Sequence, residues 1–286
     1  NPIMVMYNKK MFREAGIARP PRTYSEYLVA AEKITKDTNG DGRIDRWMGY
    51  RDIRPIWWQR LFDYYPLYIA ASGGMTLFNG SEIAFANEAS VKVFQFFNEL
   101  YRHGYYPLTT FQGDAFLAEQ VATQFTGPWN VIHVENFKIP GFEYGISPIP
   151  VPDDYNGPVY TYGDHKNISI FSTTKYPEAA WQFAKFLISA RADLRLLEIC
   201  SQIPLRKNLT VDSLYRKYFQ ENPMMMQFAE QALYTRGVDG SSVLKEIFDA
   251  ISQEYEICAV YNKRTPQEAI ANAAKRAQII IEWNRK

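Results

Sequence analysis

Apolar positions recur along this chain in two periods, and the switches between them predict most of its elements. Residues 3–7 are a short apolar run that reads as a strand. Residues 9–15 read as a short helix stopped by Gly16 just past its end. Pro20-Pro21 breaks the chain, and Thr23 with Glu26 then forms a helix-opening box, followed by Tyr27, Leu28, Ala31 and Ile34 at helical spacing. Residues 47–50 are predicted as a strand, and 56–71 as one aromatic helix closed by Gly73-Gly74. Residues 87–103 are predicted as a helix with Val91, Phe94, Phe97 and Leu100 on one face and Gly104 as its stop. A short helix at 115–120 precedes a strand at 121–126, which runs into Gly127-Pro128-Trp129. Residues 144–148 and 166–172 read as strands and 177–189 as a helix. Beyond 190 the pattern is helical, at 191–201, 211–220, 222–235, 241–262 and 266–284. Strands alternating with helices, followed by helices alone, predict an α/β layered protein with a helical tail rather than an eight-fold barrel.

The 286 residues suggest two domains or one large α/β unit, at about 150 residues per domain. Lys plus Arg total 32 against 31 for Asp plus Glu, a net charge of +1. Such balance argues against a nucleic-acid partner, because counterion release needs a concentrated basic surface. No apolar run approaches the roughly 18 residues of a membrane helix. Aromatic residues reach 15%, which hints at a surface that stacks on something. Cys200 and Cys258 are too few for a disulfide scaffold; helical context reads both as buried free thiols, with one optional disulfide in an oxidising compartment as the alternative. His103, His133 and His165 lie far apart, so no zinc site is indicated.

The sharpest local signal is the loop Asp37-Thr38-Asn39-Gly40-Asp41-Gly42-Arg43-Ile44-Asp45. Side-chain oxygens of Asp37, Asn39, Asp41 and Asp45, with the Arg43 carbonyl, have the spacing a hard cation uses, and Gly42 stands where the backbone must turn. Met48 occupies the position where an EF-hand carries a bidentate Glu. A structural Ca2+ and a plain Asp/Asn/Gly turn are both open readings. Trp57 and Trp58 cannot share one helical face, so at least one turns away from the core stripe. Trp129 follows a strand and a Gly-Pro turn, where α/β folds place binding residues, and Gly127 is expected to permit an unusual backbone conformation there. Asp164-His165 reads as ligand contact or hinge, since no GxSxG accompanies it.

These pieces also occur in a familiar order. Met6-Tyr7-Asn8-Lys9-Lys10-Met11-Phe12, Glu14-Ala15-Gly16 and Pro20-Pro21-Arg22-Thr23-Tyr24 open the series. The Asp/Gly loop, Gly73-Gly74 and Phe125-Thr126-Gly127-Pro128-Trp129-Asn130 follow. Tyr144-Gly145-Ile146, Lys175-Tyr176-Pro177-Glu178-Ala179-Ala180-Trp181 and Ile203-Pro204-Leu205-Arg206-Lys207 complete it. The ordered set, covering nearly the whole chain, resembles the bacterial extracellular solute-binding proteins of family 1, the sugar receptors of ABC importers related to maltose-binding protein. Gly163-Asp164 departs from the Gly-Gly that such proteins often carry.

The resemblance implies a periplasmic-binding-protein-like type II α/β fold of two lobes and a hinge, of which this chain supplies mainly lobe two. Residues 1–162 would form the first part of lobe two, 163–199 would cross the hinge and add to lobe one, and 200–286 would return. The chain would then be the C-terminal portion of a longer receptor, partnered by a missing N-terminal lobe and by the importer's membrane subunits. It would work in the periplasm or outside the cell, lipid-anchored through that missing N-terminus. A sugar offers apolar C–H faces to aromatic rings and hydroxyls to planar polar groups. By resemblance, Trp129, Trp57, Trp58, Arg51, Asp52, Tyr162, Gly163, Asp164 and Arg206 would line the inter-lobe cleft, with no catalytic residue, no turnover and no organic cofactor. A carbohydrate-active hydrolase is the alternative class, and a sensor or structural domain on the same fold is a third.

Overall fold

A computed structural model describes residues 1–80 and 82–284. The first apolar run becomes β1 (Met4–Asn8), which lies inside a four-stranded sheet rather than at its edge. Asn8 ends the strand and caps α1 (Lys9–Glu14) by accepting from the Met11 N–H. Thr23 opens α2 (Tyr24–Ile34) by accepting from the Glu26 N–H, while the Glu26 carboxylate accepts from the Arg22 N–H. β2 (Trp47–Gly49) follows the Asp/Gly loop. The predicted aromatic helix is two elements: a 3-10 segment (Trp57–Leu61), a break at Phe62 and Asp63, then α3 (Tyr64–Ala71). The break arises because Asp63 is a cap, accepting from the Tyr64 N–H.

A small hairpin, β3 (Phe78–Asn79) with β4 (Glu82–Ile83), leads to α4 (Glu88–Arg102), capped by Asn87 and ended by Gly104 at φ +70°. Residues 115–120 form hydrogen-bonded turns over the Asp114 carboxylate rather than the predicted helix. Then come β5 (Val121–Thr126), α5 (Trp129–Phe137), β6 (Tyr144–Ser147) and β7 (Thr161–Tyr162). Residues 166–172 form no strand; Ile168, Ile170 and Phe171 are exposed, and among the described residues no strand lies beside them to pair with. The helical tail is α6 (Pro177–Leu187), α7 (Ala190–Cys200), α8 (Ser213–Glu221) and α9 (Pro223–Gln231). It continues with β8 (Thr235–Arg236), α10 (Leu244–Tyr255) extended by a π turn (Glu256–Val260), and α11 (Pro266–Asn284). Cys258 is buried as expected, but Cys200, at the end of α7, is exposed.

The sheet order is β2-β5-β1-β6, with β1 antiparallel to both neighbours and β2 parallel to β5. Alternate residues of β1 face opposite ways. Ile3 and Val5 enter the larger core with α2, α3, α4, α10 and α11, while Met4 and Met6 enter a second core with α5, α8 and α9. Burial on both faces is why β1 reads as continuous apolar sequence. Among the described residues no helix is long and apolar enough to cross a membrane.

A polar chain runs through the larger core. The Thr123 hydroxyl donates to the Met48 carbonyl at 2.7 Å, so Tyr27, 2.6 Å away, must donate to Thr123, and Tyr106, at 2.9 Å, donates to Tyr27. Tyr27→Phe would leave two buried hydroxyls short of a partner. It should lower the unfolding free energy by about 1–3 kcal/mol, read from urea melts.

Candidate functional site: an aromatic hollow at the end of the sheet

β5 ends in Thr126-Gly127-Pro128, and Trp129 is the first residue of α5. A Cβ on Gly127 would lie 2.0 Å from the Trp129 ring. Gly127 has an ordinary negative-side backbone, so its role is space rather than the unusual conformation expected of it: the indole folds back over it. Across from Trp129, the 3-10 segment brings Trp58 and Phe62 to the same place. Phe62 is the hub, edge-on to Trp129 at 6.0 Å, to Trp58 at 6.5 Å and to Tyr162 at 6.2 Å. Trp58 is 48% exposed, so part of its indole faces the hollow.

Polar groups fringe these rings. Arg51 donates through Nη2 to the carbonyls of Phe62 (2.7 Å) and Phe125 (2.9 Å), and its guanidinium lies 5.2 Å over the Phe125 ring. It ties the segment bearing Phe62 to β5. Asp52 accepts from Arg54 through both carboxylate oxygens, and Arg54 holds its pKa below the usual carboxylate range against an opposing burial effect. It is therefore a charged acceptor at neutral pH. Gln59, Gln124, Tyr50 and Thr126 complete the lining of an open hollow of about 440 Å³.

Of the residues expected in a binding cleft, Trp129, Trp58, Arg51 and Asp52 meet here. Trp57 turns away and packs on the larger core. Tyr162 is buried behind Phe62 rather than lining the hollow. Gly163 is held by its N–H to the Arg236 carbonyl at 2.9 Å, and any side chain would strike His165 and Thr235. Asp164 pairs with Lys166 and lines a different hollow of about 720 Å³ beside α6 and α7. Arg206 lines that second hollow too, donating to Asp193 at 2.6 Å and to the Ile188 carbonyl at 2.6 Å. Tyr50, Gln59, Phe62, Gln124 and Thr126 escaped the sequence reading. Gln124 carried a signal, as the one long polar side chain in β5.

The loop at 37–45 spends its oxygens on itself. Asp37 accepts from the N–H groups of Asn39, Gly40 and Gly42, Asn39 from Asp41, and Asp41 from Arg43. Asp45 turns onto Thr38, and Met48 is wholly buried. Among the described residues no group of three or more His, Cys, Asp or Glu side chains is placed to hold a metal ion. The oxygen chemistry suits calcium, and in this structure the same oxygens accept from the loop's own N–H groups.

The profile of the bacterial extracellular solute-binding protein family matches residues 1–193. Over 283 residues the chain is 24% identical to the galactooligosaccharide-binding protein of Bacillus subtilis (strain 168), covering 96% of this chain and 63% of that protein. It thus spans less than two thirds of the length of that curated relative. An uncharacterized protein from Listeria monocytogenes EGD-e superposes with a TM-score of 0.84 at 26% identity, over 98% of this chain and 70% of its own. The sugar-binding protein MalE from Xanthomonas citri superposes with a TM-score of 0.81 at 19% identity, over 99% and 69%. The fold is that of the maltose-binding-protein-like periplasmic binding proteins.

Gly127→Ala tests the geometry of the hollow directly. The added methyl would displace the Trp129 indole, so tryptophan emission should shift and stability should fall by about 1–3 kcal/mol, as overpacking does. Unchanged emission and melting would mean that the ring does not rest on Gly127.

Proposed function

The chain belongs to the bacterial extracellular solute-binding protein family, and from that premise we propose that it carries one half of a saccharide site in the receptor of an ABC importer. The observation that carries this is the Phe62-centred aromatic cluster with Asp52, Gln59 and Gln124 at its edge. Flat apolar rings beside planar hydrogen-bonding groups answer the two surfaces of a sugar. An oligosaccharide suits an open hollow with separated rings better than a single small solute does. The galactooligosaccharide-binding relative supports that class.

Residues 1–162 and 200–286 are proposed to act as one lobe, with 163–199 crossing to a second. The support is an uncovered face: Phe183 and Phe186 of α6 are each more than 60% exposed, beside half-exposed Trp181 and Ile188. A second lobe covering that face would bring its own groups over the hollow, and ligand held between lobes would favour the closed form. The importer's membrane subunits would read closure, outside the cell membrane or in the periplasm, with a lipid anchor as a further possibility to test by radiolabelled acyl incorporation. Capture without turnover is part of the proposal.

Titration calorimetry of the receptor with galacto- and maltooligosaccharides, amino acids and polyamines tests the reading. Binding to oligosaccharides with the sugar recovered intact supports it; hydrolysed product would move the protein to the hydrolase class. Trp129→Ala should weaken binding about 10- to 100-fold, since each 1.4 kcal/mol is tenfold. Trp129 is half-buried, so its melting point should drop modestly, whereas a core Trp would cost about 3–5 kcal/mol. The depressed pKa of Asp52 keeps it charged as pH falls through the ordinary carboxylate range. Affinity should therefore stay flat from pH 8 down to about 4, the ordinary carboxylate value, and decline only at lower pH.

A further inference from the structure

A fully buried ion pair stands directly behind the cleft aromatics. Arg60 is 1% and Asp63 0% exposed, with Nη2 and Oδ2 3.0 Å apart. The Arg60 guanidinium lies 3.9 Å over the Tyr255 ring at the end of α10. The other Asp63 oxygen caps α3 at the Tyr64 N–H. Arg60 Nε has no hydrogen-bond partner, and Asp63 Oδ2 meets Arg60 outside hydrogen-bonding geometry despite its 3.0 Å approach.

Such a pair is a poor way to stabilise a core. Two charges leave water, and their attraction repays this only with good geometry and full hydrogen bonding, which the unpartnered atoms deny. Well-packed apolar residues would do as well. What the pair does determine is direction. The segment Trp57-Trp58-Gln59-Arg60-Leu61-Phe62 is apolar on every side except at Gln59 and Arg60, so hydrophobicity alone cannot choose which of its rings faces inward. Within the 3-10 segment three residues per turn put Trp57 and Arg60 on one edge and Trp58 on another, and Asp63, past the break, pairs back onto Arg60. Anchoring the Arg60 edge to Tyr255 leaves Trp58 and Phe62 facing the hollow, where Arg51 holds the Phe62 carbonyl from the other side.

We propose that Arg60 and Asp63 are positioning residues: the buried pair sets the rotational register of the segment Trp57–Leu61 and so presents Trp58 and Phe62 to ligand. The ligand part of this rests on the saccharide reading above; the register part does not.

Two variants test it. Asp63→Asn keeps the cap oxygen but leaves the Arg60 charge unpaired, so its melting temperature should fall clearly. The double variant Arg60→Met/Asp63→Asn removes both charges and should regain most of that loss. In the regained protein, amide hydrogen exchange across residues 57–63 should rise at least tenfold. Affinity for whichever oligosaccharide the wild type binds should drop at least tenfold. A double variant that melts as low as Asp63→Asn makes the pair a stabilising element and overturns the proposal. Wild-type exchange with wild-type affinity in the double variant overturns it as well. If the wild type binds no oligosaccharide, the saccharide reading fails alone, and the exchange measurement still decides the register.

Discussion

Seven consecutive buried residues, Tyr64 to Ala70, make α3 the element on which the rest of the structure depends. A helix buried on every side has no solvent face to orient it, and three of its residues are tyrosines whose hydroxyls need partners. Each hydroxyl finds one on a different element. Tyr64 meets Ser90 of α4 at 2.8 Å, Tyr65 donates to the Gly237 carbonyl just after β8 at 2.9 Å, and Tyr68 donates to the Thr76 carbonyl at 3.1 Å. The helix is thus fixed about its own axis by three hydrogen bonds rather than by an amphipathic stripe. Because Asp63 caps it and Phe62 precedes it, fixing α3 also fixes one wall of the aromatic hollow. The opposite wall, Trp129, is set by β5 and Gly127. The site is therefore a junction between two rigid elements, with Arg51 bridging them.

The same physics explains what could be read in advance. α4 was legible because it has a cap, an apolar stripe and a stop, and α11 because Thr265 caps it and Pro266 opens it, all local signals. Trp129 was legible because a strand, a glycine and a proline fix its place in the chain. The break within 56–71 was not, since it depends on Asp63 meeting Arg60 and Tyr64 in a buried setting that no window of sequence displays. Phe62 looked like one more core aromatic for the same reason. Arg206 follows a motif that resembles its family's, yet its partners, Asp193 and the Ile188 carbonyl, belong to the α6–α7 connection, so motif order could not say which hollow it lines. A strand at 166–172 was inferred from apolar content alone. A strand needs a partner ladder, and among the described residues none lies beside them.

For the proposed saccharide ligand, affinity and specificity would draw on different parts of this hollow. The rings are held from behind by core contacts, so a sugar face that stacks on Trp129 or Trp58 meets a surface whose ordering cost was met during folding. The polar fringe is not free in the same way. Asp52 is already engaged by Arg54, so a ligand hydroxyl must share that carboxylate or displace the guanidinium, and the exchange returns little net energy. A ligand that leaves Asp52 desolvated without replacing the Arg54 contact loses far more, because an unpartnered carboxylate is costly to bury. Stacking should therefore set how tightly saccharides are held as a class. The Asp52–Arg54 pair, with Gln59 and Gln124 beside it, should set which hydroxyl patterns are rejected.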